Sequence, residues 1–368
     1  MQPKAWTIAL SLALALFVCP VLSSPQAQAR DLTIDELSQV ASLDFGLTEF
    51  KEEFSAILKN LVDLSWDESG DWKGDIQGDA TYFAPMLLYA LWKDTGAYAL
   101  RSMADRTVDH EVAMVYKFII FPVPTMDMVI GFPSLAESYR ATKRRPYLNM
   151  FTLGVSAGSM LATYSPDFFT PYMYDRASTY GSIILMCFTA YELTGEDAYK
   201  KKGLDLFSLA DRECWNEEKG LYAYSRYADW PQATMMMACA AAYRATGSEK
   251  YVERAARVIA GMDECLWDKD RGGYAGHPTP ASKGLSGNCA VAGALLDLYE
   301  ATGEVGCLEK ARAILKWILS DDLYDSQTGI IHHHYEKTTG RAETYCTGCN
   351  LYALCIIHRL NKLSAASH

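Results

Sequence analysis

The sequence predicts an all-α protein, a six-hairpin α/α toroid in which an inner ring of helices lies inside an outer ring. Three observations predict this fold. They are a repeat of about fifty residues, helical periodicity in both halves of each repeat, and an alternation of fully apolar and one-sided helices. Half of the 368 residues are hydrophobic, so the chain can bury a large core.

The repeat is marked by Thr-Gly pairs, each at the end of an apolar helix. The glycine supplies the left-handed residue that ends such a helix. Successive copies are 47, 52, 52 and 56 residues apart. The copies are Thr95-Gly96, the degenerate Thr142-Lys143, Thr194-Gly195, Thr246-Gly247 and Thr302-Gly303. The array therefore predicts helical hairpins joined by short turns.

The helix before each pair is apolar on nearly all sides, which indicates burial in an inner ring. A one-sided helix follows each pair and belongs to the outer ring. The predicted inner helices are 79–93, 132–142, 178–194, 231–246, 284–302 and 343–359. An N-terminal helix over 46–63 serves as the sixth outer helix and closes the ring, because a hairpin cannot bury both faces alone. An open solenoid is the alternative.

The connections from outer to inner helices are long and carry a Trp-Asx signature followed by Gly and Tyr, as in Trp267-Asp268 to Tyr274. Long loops at one end of a rigid scaffold are where function usually lies. These loops lead into the N-termini of the inner helices, whose dipoles favour anions. We therefore expect a ligand site at this end, which we call the mouth.

The N-terminus predicts a signal peptide over residues 1–29, with Lys4, the apolar run 6–22 and a small-x-small cleavage site at Ala27-Gln28-Ala29. An uncleaved membrane anchor is the alternative. Residues 30–368 are predicted to form one toroid domain, periplasmic or secreted, with no membrane contact after cleavage. Removing one lysine leaves 33 basic and 45 acidic residues, a charge of −12. This balance argues against nucleic acid as a partner. The oligomeric state is left open.

One stretch resembles a known family. Trp267-Asp268, Gly272-Gly273-Tyr274, Ser286-Gly287-Asn288 and Thr302-Gly303-Glu304 resemble the helical domain of the spermatogenesis-associated thioredoxin-like proteins. More broadly they resemble the six-hairpin glycosidase and N-acylglucosamine 2-epimerase superfamily. The resemblance covers residues 180–320 and implies an α/α toroid with a sugar-type pocket. The thioredoxin-like domain is absent, and no two-acid signature points to one glycosidase family.

The mouth loops contain the acids, aromatic rings and amides that sugar sites need. Hydrolysis requires two carboxylates, and the candidates are Asp79, Asp175 and Glu343. Epimerisation uses bases near neutral pKa, and the candidates are His277 and His334. The candidate substrate-binding residues are Trp72, Arg176, Tyr180, Asp229, Trp230, Asn288 and Tyr345. The structural alternatives are helix caps for the acids and surface positions for the histidines.

Nine cysteines remain after residue 29. Cys289 and Cys346 are predicted at matching repeat positions, with Cys349 one turn deeper. Zinc is an alternative use of these three, a Cys289–Cys346 disulfide is another, and inert buried thiols are the third. No cofactor is predicted. The expected function is a glycoside hydrolase or a sugar epimerase that acts on a carbohydrate or similar small polar ligand. A non-catalytic toroid that binds a ligand or a protein is the alternative.

Overall fold

The computed structural model describes residues 32–40, 42–67, 70–73, 80–120, 132–164, 175–223, 228–276 and 282–366. The helices are α1 (Ile34–Val40), α2 (Lys51–Leu64), α3 (Ala80–Thr95), α4 (Tyr98–Ile120), α5 (Phe132–Thr142), α6 (Arg145–Tyr164), α7 (Arg176–Thr194), α8 (Asp197–Cys214), α9 (Asp229–Thr246), α10 (Lys250–Cys265), α11 (Leu285–Thr302), α12 (Val305–Ile318) and α13 (Thr347–Ala366). The strands are β1 (Trp215–Asn216), β2 (Leu221–Tyr222), β3 (Ser282–Gly284), β4 (Tyr324–Asp325), β5 (Ile330–Ile331), β6 (His334–Glu336) and β7 (Gly340–Arg341).

The helices form two rings. The inner ring consists of α3, α5, α7, α9, α11 and α13, and each inner helix packs against its neighbours in this order. The helices α4, α6, α8, α10 and α12 each pack outside the inner helix that precedes them, and α2 packs outside α13. The predicted all-α toroid of six hairpins is therefore confirmed. In the part of the chain described here, no helix is long and apolar enough to cross a membrane.

The ring closes where α13 meets α3. The rings of Phe83 and Tyr352 stack with their centroids 4.2 Å apart. Nearer the other end of the same seam, Asp94 accepts hydrogen bonds from His358 Nε2 at 2.7 Å and from Lys362 Nζ at 2.8 Å. These contacts join helices more than 260 residues apart in sequence. The open-solenoid alternative is therefore wrong.

Helix α2 is fixed at its entry by the last inner helix. The Asn361 side-chain oxygen accepts the backbone N–H groups of Thr48 and Glu49, each at 2.8 Å. Arg312 of α12 also binds the Glu49 carboxylate, with its Nε 2.7 Å from Oε2. Helix α2 starts at Lys51 rather than at the predicted residue 46, because Phe50 has a left-handed backbone with φ 57°.

The alternation of buried and one-sided helices explains the two rings. In α9, Ala233, Met235, Met236 and Ala238 lie on different sides of the helix and are all fully buried. In α10 the buried residues recur every three or four positions, at Tyr251, Ala255, Val258 and Met262, with exposed residues between them. A helix with a single apolar stripe lies at the surface of its fold.

The threonine of the repeat contributes as much to the turns as the glycine. At five turns its hydroxyl donates to the carbonyl four residues earlier, at 2.7–2.8 Å. The same oxygen accepts the N–H two residues later, at 3.2 Å. Each threonine therefore satisfies groups that a helix C-terminus leaves without a partner. The threonines are Thr95, Thr142, Thr194, Thr246 and Thr302.

The degenerate turn predicts a stabilising substitution. Lys143 holds the left-handed conformation with φ 58° that glycine holds in the other four turns. A side chain there costs about 1 kcal/mol. We expect Lys143→Gly to raise the free energy of unfolding by about 1 kcal/mol, as measured by urea titration. Gly195→Ala is the reciprocal control, because an added methyl would meet no atom within 4 Å and only the backbone strain would act. A destabilised Lys143→Gly variant would contradict this explanation.

Each Trp-Asx signature forms a short β-hairpin or bridge before an inner helix. Trp215 pairs with Tyr222, and Trp267 pairs with Tyr274. A buried amide in the next inner helix binds the second strand, with its oxygen accepting the backbone N–H and its nitrogen donating to the carbonyl of one residue. Three amide clamps of this kind join Gln232 to Tyr222, Asn288 to Tyr274 and Asn350 to Ile331.

The amide clamps correct the predicted register of the last inner helix. Asn350 is the counterpart of Asn288, so Cys289 matches Leu351 and not Cys346. The helix runs over Thr347–Ala366 rather than 343–359. The prediction was wrong by about one turn because this repeat has no Thr-Gly pair to mark the end of the helix.

The seam predicts a dependence of stability on pH. Burial lowers the pKa of His358 below 6.5 even though Asp94 acts to raise it. A depressed histidine pKa stabilises the fold above the unfolded value, and this stability is lost as pH falls through 6.5 towards the folded value. Between pH 7.5 and 5.5 we expect wild type to lose more stability than His358→Gln, measured by urea titration. Parallel losses in the two proteins would contradict this role for His358.

Candidate functional site

The mouth lies where the short β-hairpins lead into the N-termini of the inner helices. One side of it has a three-stranded sheet that the sequence did not predict, with β6 paired to β3 and to β7. Gly284 lies opposite His334 in this sheet, directly before α11 begins. The sheet is anchored by the buried Lys283, whose ammonium is 2.9 Å from both an Asp268 carboxylate oxygen and the Gly272 carbonyl.

Asp229 is the most unusual ionisable residue at the mouth. It is the first residue of α9, and only 7% of its surface is exposed. Burial raises its pKa from 3.8 to about 7, although the backbone N–H of Trp230 donates to Oδ1 at 2.7 Å and acts to lower it. The side chain can therefore hold or release a proton near neutral pH.

The close approach of Gly287 explains why the Asp229 carboxyl group is shielded from solvent. Gly287 lies in the first turn of α11 and faces the side chain of Asp229. A methyl group added at Gly287 would overlap both carboxyl oxygens, so the glycine Cα packs directly against the acid. The two helix N-termini thus enclose Asp229 by close backbone approach. Gly287 belongs to the Ser286-Gly287-Asn288 motif, but its contact with Asp229 was not predicted from the sequence.

Two polar atoms near these helix starts have no hydrogen-bond partner among the residues that the structure describes. They are the indole nitrogen of Trp230, next to Asp229, and the hydroxyl of Ser178 in the first turn of α7. Both atoms are buried. Buried polar groups normally have a partner, which makes these two atoms candidates for a contact with a bound ligand.

Three predicted site residues on α7 are bound within the protein. Asp175 caps the helix by accepting the Ser178 N–H at 3.0 Å. Arg176 lies 3.5 Å from Glu213 at the end of α8, and the Tyr180 hydroxyl donates to the same carboxylate at 2.8 Å. Arg176 and Tyr180 therefore face the outer ring through Glu213, and we assign both of them to the packing of α7 on α8.

Two further candidates for substrate binding have structural contacts. Trp72 is buried in the core, and its indole N–H donates to the Thr107 hydroxyl at 3.0 Å. Asn288 is fully buried and forms an amide clamp to Tyr274, while its nitrogen also donates to the Gly284 carbonyl at 2.9 Å. Neither side chain has a free donor to offer a sugar, so we assign both to the scaffold.

The histidine cluster lies on β6 and the residues before it. His333 and His334 face each other with their Nδ1 atoms 3.4 Å apart, and His334 is 3.9 Å from Glu336. Burial, and then His334, lowers the pKa of His333, which favours a neutral ring. Glu343 is exposed and Tyr345 is partly buried beside His332. Asp79 and His277 lie outside the described residues.

None of the nine cysteines after residue 29, all of which lie in the described part of the chain, is in a disulfide. Cys289, Cys346 and Cys349 are all buried. In the described part of the chain no group of three histidine, cysteine or acidic residues is arranged to hold a metal ion. The zinc alternative for these three cysteines therefore has no support in the geometry, and the Cys289–Cys346 disulfide is not formed.

No protein-family model matches this chain. No curated protein matches it either.

Solved structures do match, at low identity. The GH76A α-1,6-mannanase from a Salegentibacter species is 13% identical with a TM-score of 0.65, covering 87% of this chain and 100% of its own. An inactive variant of that mannanase, with two aspartates replaced by alanine, is in complex with α-1,6-mannotetrose. An unsaturated glucuronyl hydrolase from Streptococcus agalactiae is 12% identical with a TM-score of 0.62, covering 90% of this chain and 96% of its own.

The cellobiose 2-epimerase from Bacillus thermoamylovorans is 13% identical with a TM-score of 0.66, covering 84% of this chain and 98% of its own. The similarity thus extends over nearly the whole length of each of these proteins. At such identity it establishes the fold and leaves the reaction open. The fold of this chain is that of the six-hairpin glycosidases and sugar epimerases, as the resemblance implied.

Proposed function

We propose that this chain is an exported glycoside hydrolase in which Asp229 donates a proton to the departing sugar oxygen. One observation carries the proposal: a buried carboxyl group at the mouth whose pKa is raised to about 7. A general acid must hold its proton at working pH and release it to the leaving group, which requires such a pKa. The fold shared with mannanases and glucuronyl hydrolases supports the same class of reaction.

The second carboxylate of the reaction acts as base or nucleophile on the opposite face of the sugar. Asp79 is our preferred candidate, because it directly precedes α3 as Asp229 opens α9. Asp175 is a weaker candidate since its carboxylate already caps α7. Glu343 is exposed at the rim. The variant of the Salegentibacter mannanase in which two aspartates are replaced by alanine is inactive, which is consistent with a reaction that uses two acids.

The polar groups at the mouth favour a neutral carbohydrate. Arg176 is paired with Glu213, and the pKa of His333 is lowered by burial, so neither offers a free positive charge to an acidic sugar. Trp230 offers an aromatic ring and a buried N–H without a partner among the described residues. An aromatic platform with few directed donors is typical of sites for sugar ring faces.

A sugar epimerase is the second candidate. His277 and His334 each stand three residues after a clamped hairpin residue, Tyr274 and Ile331. The two histidines therefore stand at equivalent sequence positions of consecutive repeats. We rank this reading second because His334 is 37% exposed and lies beside Glu336.

The deciding experiment is incubation of the protein with neutral oligosaccharides in heavy water, followed by mass spectrometry and NMR. Cleavage products that disappear with Asp229→Asn would support the hydrolase. Deuterium in an intact sugar, lost with His334→Gln, would favour the epimerase. Binding without either change, seen by calorimetry on folded protein, would overturn both and leave the non-catalytic toroid. Export is tested separately, by N-terminal sequencing of the mature protein for a start after residue 29.

A further inference from the structure

Between the first residue and the last turn, α7 and α9 are buried except along one face of each helix. The partly exposed residues recur at spacings of three, four and seven, which places them on the same side of a helix. They are Ser182, Leu185 and Thr189 on α7, and Trp230 and Met237 on α9. We call the space that the inner ring encloses the lumen, and the contacts of both helices show that these faces point into it.

Ser178 belongs to the lumen face of α7. It lies four residues before Ser182, at the mouth end of the same face. Arg176 and Tyr180, two residues to either side of Ser178, contact Glu213 of the outer helix α8. Because two residues turn a helix by about 200°, Ser178 points away from α8 and towards the interior of the ring.

Trp230 belongs to the lumen face of α9, seven residues before Met237. A methyl group added at Gly293 of α11 would lie 3.4 Å from Met237 Cε and 3.0 Å from the Tyr352 hydroxyl of α13. Side chains from α9 and α13, which are not neighbours in the ring, thus meet at this point of the lumen. This layer lies about 10 Å below Trp230, so a ligand that enters from the mouth reaches the first turns of the helices before it.

Ser178 and Trp230 lie on either side of one cleft. Helices α7 and α9 are neighbours in the ring, and they touch where a methyl group added at Gly181 would lie 2.6 Å from Thr234 Oγ1. Ser178 comes three residues before Gly181, and Trp230 comes four residues before Thr234. Each is therefore one turn nearer the mouth than the point of contact between the two helices.

Both side chains have a buried polar atom without a hydrogen-bond partner among the residues that the structure describes. These atoms are the Ser178 hydroxyl oxygen and Trp230 Nε1. Ser178 is fully buried, while the ring of Trp230 is partly exposed. The Thr234 hydroxyl donates to the Pro231 carbonyl at 3.0 Å instead of bonding to either of them. Since buried polar groups normally have a partner, this pair of atoms indicates a group that binding supplies.

We propose, building on the proposed function, that Ser178 and Trp230 bind one free hydroxyl group of the sugar and that Ser178 determines specificity for it. An indole N–H can only donate, whereas a serine hydroxyl can both donate and accept. A sugar hydroxyl matches both side chains, because its oxygen accepts the Trp230 N–H and its hydrogen is donated to Ser178. An ammonium group has no lone pair to accept the indole hydrogen.

The surroundings argue against a carboxylate at the same position. Asp229 directly precedes Trp230 and is buried against Gly287. A carboxylate in this cleft would be a buried charge, which is costly without a cation. Arg176, the basic residue in the first turn of α7, is paired with Glu213. The substrate class is therefore a sugar with a free hydroxyl at the contacted carbon, rather than a uronic acid or an alkylated sugar.

The test measures binding by calorimetry, with the full chain carrying Asp229→Asn so that no substrate is consumed. The probes are neutral gluco-, manno- and galacto-oligosaccharides of two to four units. We expect Ser178→Ala and Trp230→Phe each to weaken binding about tenfold, the value of one hydrogen bond. Ser178→Ala should leave the Tm of the free protein unchanged or higher, because it removes a buried polar atom that has no partner.

Monodeoxy analogues of the sugar that binds identify the contacted hydroxyl. One analogue should bind the Ser178→Ala protein and its parent equally well, because it lacks the group that Ser178 contacts. Ser159→Ala and Trp215→Phe are the matched controls, and both should keep the parent affinity. Their polar atoms already have partners away from the lumen, the Val155 carbonyl at 2.6 Å and the Glu217 carboxylate at 2.6 Å.

Three results would overturn this assignment. They are equal affinity of Ser178→Ala and its parent for every sugar, no binding of any of these sugars by either protein, and tighter binding of the same oligosaccharides when they end in a uronic acid. Cleavage by the wild type, together with an unchanged affinity in Ser178→Ala, would reject the hydroxyl contact alone. Binding that depends on Ser178 in a wild type that cleaves nothing would support the contact and reject the hydrolase.

Discussion

Asp229→Asn should lower kcat for glycoside cleavage by about 10³-fold while leaving KM within a few-fold. The physical reason is that asparagine keeps the shape of the buried carboxyl group and its contact with Gly287 but cannot donate the proton. Because the pKa of Asp229 is about 7, the wild-type kcat/KM should fall above neutral pH as the acid ionises. Steady-state kinetics on a cleaved oligosaccharide from pH 5 to 9 measures both effects.

The same substitution should stabilise the protein at alkaline pH. In the unfolded chain Asp229 ionises near pH 3.8, while in the folded chain it stays protonated to about 7. The folded state therefore loses stability as pH rises from 4 to 7 and regains none above that. The cost of the charged form at pH 8 is on the order of 4 kcal/mol. Asp229→Asn removes this cost, so urea titration should show a clear gain at pH 8 and little at pH 4.5.

Asp105→Asn is the matched control for both measurements. Asp105 is also mostly buried, but it accepts the Tyr89 hydroxyl at 2.6 Å and lies 3.5 Å from Arg144, away from the mouth. It should lose stability and keep the activity of the wild type. If Asp229→Asn instead destabilised the protein at pH 8, the buried carboxylate would have a partner and would not be the acid.

Asn288→Ala should cost about 3–5 kcal/mol of unfolding free energy. The substitution leaves the N–H and carbonyl of Tyr274 buried without their partner, and it removes the bond to the part-buried Gly284 carbonyl. Each such group costs about 1–3 kcal/mol. Asn350→Ala should cost a similar amount through Ile331 and Cys346. Urea titration by circular dichroism measures these losses.

Asn149→Ala is the control for the amide clamps, because Asn149 is exposed on α6 and its replacement should change stability by less than about 0.5 kcal/mol. A raised KM for Asn288→Ala with unchanged stability would restore Asn288 as a substrate-binding residue. If Asn288→Ala and Asn149→Ala lost equal stability, the amide clamps would not hold the hairpins.

The fold could be predicted from the sequence because its signal is local and repeated. Thr-Gly pairs mark the helix ends, and five of the six predicted inner helices begin and end within two residues of the observed bounds. The sequence showed the Trp-Asx signature of each hairpin but did not predict the strands, because a strand of two residues is too short to show a periodic pattern. The last helix was misplaced because no Thr-Gly pair follows Asn350.

The site was harder to predict because the direction of a side chain depends on its neighbours. Arg176 and Tyr180 read as mouth residues by position, yet Glu213, 33 residues after Tyr180, binds both of them. Lys283 was assigned no role from the sequence, yet it is buried and binds Asp268. The raised pKa of Asp229 depends on the absence of a side chain at Gly287, a contact between repeats that one sequence does not reveal.

The seam between α3 and α13 means that the chain has no natural first repeat. The ring is complete only when residues near the C-terminus, such as Tyr352 and His358, reach Phe83 and Asp94. Asn361 then holds the chain at Thr48, so the two ends of the ring lie side by side. Such a molecule should accept new termini at an exposed turn such as Gly247-Ser248, with the old ends joined by a linker. Packing would then fix the order of the repeats around the ring, but it would not fix which repeat comes first in the chain.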